Sequence, residues 1–93
     1  MAYTIKNYTK QRARELGVTV KLSTRKGKKI DVFDKEGKKI ASVGALGYGD
    51  YPTFMQDEGK AFAEQKRKNY KIRHQKDRSV KYSNGWYADN LLW

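Results

Sequence analysis

His74 and Asp77 stand three residues apart, a spacing that brings an imidazole and a carboxylate to neighbouring positions on a helix. Such a pair can orient a general base. Acid–base catalysis also needs a nucleophile, a metal or a further titratable group converging on the same point. His74 is the single histidine, it lies among cations in KIRHQKD, and the chain has no cysteine. Multi-histidine and thiolate metal sites are therefore excluded, and a structural or phosphate-contacting histidine is the stronger expectation. Asp31, Asp34 and Glu36 place three carboxylates around one strand and its turn. They match no metal-loop pattern, so ion pairs with nearby lysines are expected before a bound cation. Gly44, Gly47 and Gly49 form a glycine-rich stretch whose backbone N–H groups can cradle phosphate. The stretch lacks the G-x-x-x-x-G-K-[ST] spacing, and a flexible loop carrying Tyr48 and Tyr51 is the plainer reading. No catalytic constellation, metal or small-molecule cofactor is expected, and the chain does not read as an enzyme.

The charge pattern is more informative. The chain has 93 residues and a formal net charge of +11. Residues 6–29 hold nine Lys/Arg against Glu15 alone, and residues 60–82 hold nine against Glu64 and Asp77. Between them, residues 30–59 hold three lysines against six acids. Two basic blocks flanking a slightly acidic middle form the footprint of a polyanion-binding protein. A solvated surface that only confers solubility is the alternative. Tyr48, Tyr51, Tyr70 and Tyr82 are interleaved with cations and offer stacking surfaces, although helical spacing suits Tyr70 better to the core. Apolar residues make up 38% of the chain, yet 12 are aromatic, which favours a folded unit over a disordered polycation.

The length allows one small basic domain over residues 1–93. NYTKQRARELGV predicts a short helix with Thr9 as N-cap and Gly17 just past its end. VTVKL, KIDVF and KIASV predict three strands. Val18, Val20 and Leu22 point to one face of the first, Ile30 and Val32 align on the second, and Phe33 falls on the opposite face. Gly37 supplies the tight turn in DKEGKK, giving a three-stranded antiparallel meander over 18–44. From Pro52 a long basic helix is expected, capped by Asp50 or Thr53, with Gly59 as its weak point and Phe62 at the centre of the apolar stripe. That stripe runs out near Ile72, leaving the last two turns basic on nearly every side. GWYADNLLW predicts a short terminal helix capped by Ser83 or Asn84. The fold class is thus α+β: short N-terminal helix, three-stranded antiparallel meander, long basic helix, short C-terminal helix. MAYTIKNYTK lacks the apolar core of a secretory leader, and no apolar run approaches the ~20 residues of a membrane span.

GDYPTF, RKNYKIRH and GWYADNLLW together resemble a family of small basic proteins encoded by large DNA viruses and some phages. Those proteins carry a Tyr-x-x-Arg-His element followed by a Gly-aromatic-aromatic stretch that ends Leu-Leu-Trp. The matching residues are Tyr70, Arg73 and His74, then Gly85, Trp86, Tyr87, Leu91, Leu92 and Trp93. GKKIDVFDKEGKKIASVG also looks like the hairpin these proteins place upstream. The resemblance implies a viral source and a non-enzymatic role without supplying a mechanism. The expected location is the virion or the host cytoplasm or nucleus. The leading expectation is a nucleic-acid partner, DNA before RNA. Lys26, Lys28, Lys29, Arg67, Lys71, Arg73 and His74 are then the phosphate contacts, with Tyr70 supporting them from below. The alternatives are a minor capsid or cement protein meeting acidic surfaces of other virion proteins, and a small inhibitor of a host nucleic-acid enzyme. The tryptophan-rich ending reads as a staple folding back on the sheet or on the helix around Phe62, with a docking peptide as its alternative.

Overall fold

The computed structural model describes residues 3–93, and the chain falls into two units, Met1–Tyr48 and Gly49–Trp93. The element order has the α+β layout expected from the sequence. In the first unit, α1 (Asn7–Leu16) closes where Gly17 adopts φ 75° and Val18 N–H reaches the Ala13 carbonyl at 3.0 Å. Thr9 is not the N-cap. Lys6 holds that position without a side-chain bond, and Thr9 lies a turn inside, fully buried, its hydroxyl lacking a partner. Thr9 and Ala13 are one turn apart and form the buried face of α1, which only a helix beginning before Thr9 provides.

The strands β1 (Thr19–Leu22), β2 (Lys28–Phe33) and β3 (Lys39–Ala45) pair antiparallel in the order β1-β2-β3. Register sets Val20 opposite Val32 and Ile30 opposite Val43, so one face of the sheet carries Ile30, Val32, Ala41 and Val43 into the core. Pairing passes from Val32↔Ala41 to Phe33↔Lys39, which leaves Ile40 unopposed and exposed at a bulge. The central strand is buried on both faces, because Lys29 and Asp31 on the second face are as inaccessible as Ile30 and Val32 on the first. Leu22 departs from its expected inward position: it ends a four-residue edge strand and is 47% exposed.

In the second unit, Asp50 caps α2 (Tyr51–Glu58), its Oδ1 accepting the Thr53 N–H at 3.0 Å, with Pro52 in the first turn where no N–H is needed. Gly59 then takes φ 90° and ψ 172°, a conformation open essentially to glycine alone, and this ends α2 before α3 (Lys60–Arg73). The expected long basic helix is therefore two helices, divided at the weak point the sequence marks. Its basic end breaks again at His74 into the single turn α4 (Gln75–Arg78). Ser83 caps α5 (Asn84–Leu92), its Oγ accepting the Trp86 N–H at 3.2 Å. A Cβ at Gly85 would come within 2.8 Å of the Asp77 carbonyl oxygen, so α5 starts against α4 at a distance only glycine allows. Phe62 is not the centre of the buried stripe. It is exposed, its ring edge-on to Phe54 at 5.4 Å, while Ala63 and Tyr70 one position around the wheel are buried. Tyr51, Tyr87, Leu91 and Leu92 complete this core. Trp93 lies flat on Tyr70, centroids 4.3 Å apart and planes 8° from parallel. The chain ending is a packed staple on the helices of its own unit. Among the described residues, no helix is long and apolar enough to cross a membrane.

Candidate nucleic-acid interface

The loop STRKGK that joins β1 to β2 carries Arg25, Lys26 and Lys28, and its shape is fixed from below by a buried carboxylate. Asp31 is 2% exposed on the second face of β2. Its Oδ1 accepts the hydroxyls of Ser23 and Ser42, each at 2.6 Å, and its Oδ2 accepts the Thr24 N–H at 3.2 Å. The Lys39 ammonium stands 3.6 Å away. Burial alone pushes a carboxyl's pKa up. Here the bonds from Ser23, Ser42 and Thr24 and the charge of Lys39 outweigh it and bring Asp31 to about 2. Ser23 Oγ passes the constraint onward by accepting the Arg25 N–H at 3.0 Å. The loop closes through Ser23 N–H to the Lys29 carbonyl and Lys28 N–H to the Arg25 carbonyl. Leu46 N–H, just after β3, adds a bond to the Gly27 carbonyl at 2.9 Å. Among the described residues, Arg25, Lys26 and Lys28 make no ion pair, so a rigid tip presents uncompensated positive charge.

The seven phosphate contacts expected from the sequence separate on inspection. Lys26 is exposed and Lys28 half-buried, both on this tip. Lys29, the next residue along, is buried at 4% exposure with its ammonium over the Tyr3 ring, 5.0 Å from the centroid. It is a core lysine and cannot be a phosphate contact, because β2 alternation turns it to the covered second face. Arg67 is also committed internally. It donates to Glu64 Oε2 at 2.8 Å and to the Trp93 carbonyl at 3.2 Å, and it lies 3.8 Å from the Tyr51 ring centroid. The Tyr51 hydroxyl donates to the same Glu64 carboxylate at 2.5 Å, and this bond with the Arg67 charge lowers the Glu64 pKa against a smaller effect of burial. Lys71 bonds Asp89 at 2.7 Å, and Arg78 completes that knot, donating to the Lys71 carbonyl at 3.1 Å and approaching Asp89 at 3.9 Å. One acid on α5 thereby ties together α3, α4 and α5.

Arg73 stays exposed, and His74 stacks on Tyr70 at 4.4 Å with Nδ1 3.4 Å from Asp77 Oδ2. Tyr70 is thus the middle ring of a Trp93–Tyr70–His74 stack. Burial, with Asp89 and Asp77 nearby, raises its pKa from 10.0 to about 12. Tyr51 and Tyr70 are buried and offer no stacking surface, whereas Tyr48 and Tyr82 are exposed. Among the described residues, no group of three or more histidines, cysteines or acids gathers into a metal site. The phosphate contacts expected from the sequence leave out Arg25, and Asp31 is not expected there as the anchor of the loop. The available signal was a lone acid on the strand face opposite Ile30 and Val32. Comparison with protein-family models, curated proteins and solved structures found no match for this chain.

Proposed function

We propose that the protein binds nucleic acid through the β1–β2 tip, with Arg25, Lys26 and Lys28 as phosphate contacts. The observation that carries this reading is the pairing of three unpartnered cations with a loop held rigid by the buried Asp31 carboxylate. A fixed tip loses little conformational freedom on binding, and each neutralised phosphate releases counterions. The first unit holds twelve Lys/Arg against four acids, which concentrates most of the +11 charge there. The action is non-enzymatic, and the resemblance of RKNYKIRH and GWYADNLLW to small basic viral proteins supports a genome- or virion-associated setting. Titrating the whole chain against duplex and single-stranded DNA over a salt series tests the reading. Affinity should fall steeply with salt, and Lys26→Ala should flatten the slope of log affinity against log salt by about 1. Absent or salt-insensitive binding would remove it.

Exposed Ile72 and Val80 beside the cations of the second unit favour a second reading, a minor capsid or cement protein. Fractionated virions distinguish the two: stoichiometric recovery in emptied shells supports the cement role, and recovery with the genome supports the first.

A further inference from the structure

Three large apolar side chains lie at the same end of the sheet as the basic tip. Leu22 closes β1 at 47% exposure, and its register partner Ile30 lies just inside β2 from the tip. Leu46, at 43% exposure, follows β3 and is bonded through its backbone to Gly27 of the tip. Tyr48, two residues further, is 76% exposed, the most exposed large apolar or aromatic side chain among the described residues, and no ring, cation or hydrogen-bonding side chain of these residues meets it. The turn that carries Tyr48 is fixed by its own N–H to the Ala45 carbonyl at 3.4 Å. Residues 22–28 and 45–49 contain no acid.

Resting on the proposed function, we infer that the nucleic acid this tip takes is single-stranded, its backbone along Arg25, Lys26 and Lys28 and a base stacked on the Tyr48 ring. A duplex offers the tip phosphates and sugars but keeps its base faces within the stack, so an exposed ring gains nothing from it. A single strand presents both phosphates and base faces, and base–aromatic stacking tolerates any sequence. The positive charge and the lack of nearby acids favour this polyanion over an apolar protein segment, which would satisfy Leu22 and Leu46 but leave the cations unmatched.

The experiment measures anisotropy of a fluorescein-labelled oligothymidylate, and of a mixed-sequence duplex of equal length, titrated with the full chain at low salt. The single strand should bind more tightly. Tyr48→Ala should weaken single-strand binding about tenfold and leave duplex binding unchanged, while Tyr48→Phe, which keeps the ring, should restore it. Lys26→Ala and Lys28→Ala should weaken both ligands. Equal effects of Tyr48→Ala on the two ligands, or none on either, would overturn the stacking inference. If Lys26→Ala still weakened the duplex in that case, the tip would stand as a phosphate site. No binding of either ligand by the wild-type chain would end both proposals.

Discussion

The two units use charge in opposite ways. In Gly49–Trp93, cations are structural: Lys71 and Arg78 converge on Asp89, and Arg67 joins Glu64, Tyr51 and the Trp93 carbonyl. In Met1–Tyr48 the structural charge is an anion, Asp31, and the cations above it are left free at the tip. Arg67, Lys71 and Arg78 thus serve packing in the second unit, whereas Arg25, Lys26 and Lys28 of the first serve presentation. Basic composition therefore locates a partner class, and only pairing within the fold says which cations remain to meet it.

The sharpest way to break this contrast is to ask whether each unit depends on its own anchor. Leu91→Ala removes a fully buried side chain from the core that the terminal helix completes, and a loss of about 3 kcal/mol is expected. Chemical denaturation followed by tryptophan fluorescence checks it directly, since Trp86 and Trp93 both lie in this unit. An unchanged midpoint would show the ending to be dispensable to the core.

Asp31→Ala is expected to cost less, about 2 kcal/mol, because it strands the buried Ser42 hydroxyl and the half-buried Ser23 hydroxyl but leaves Lys39 partly hydrated. Amide exchange should rise along β2 and in residues 23–28, and duplex binding should weaken although no cation has been removed. If the tip kept its protection, its rigidity would have another source. The folded carboxyl titrates near 2 against 3.8 for an unperturbed aspartate, so its contribution is complete above pH 3.8 and disappears as the pH falls through 2. Acid loss of β2 protection should therefore be shifted or absent in Asp31→Asn.

A smaller effect marks the second unit at the other end of the pH scale. Tyr70 is raised from 10.0 to about 12, so the fold favours its neutral phenol. That contribution is complete below pH 10.0 and is lost as the pH climbs through about 12. Ultraviolet titration should show a late step from Tyr70, together with tryptophan fluorescence reporting the loosened Trp93 stack. Tyr70→Phe should abolish the late step.

Much of the fold was legible because it rests on local rules. Period-2 alternation located the three strands, Gly17 and Gly59 marked helix ends, and Asp50 and Ser83 were capping residues in the right places. Helical periodicity was less reliable at Phe62, because a wheel ranks residues by hydrophobicity whereas Ala63 and Tyr70 are the ones that neighbouring helices cover. The candidate site was legible only through Lys26 and Lys28, two of the seven expected phosphate contacts. Lys26, Lys28 and Lys29 are three lysines within four residues, and nothing in their local sequence distinguishes a core residue from a contact.

The order of elements and the breaks between them depend on neighbours a few residues apart, and the excess of positive charge on composition, so all three are written in the sequence. The tertiary structure alone decided that Lys29 is buried, that Asp31 holds the tip, and that Arg67 and Lys71 are tied down while Arg25 and Lys26 are not. Whether a charge is free is set by what lies across the strand or on the next helix, and those partners, Ser42, Lys39, Asp89 and Trp93, are distant in sequence.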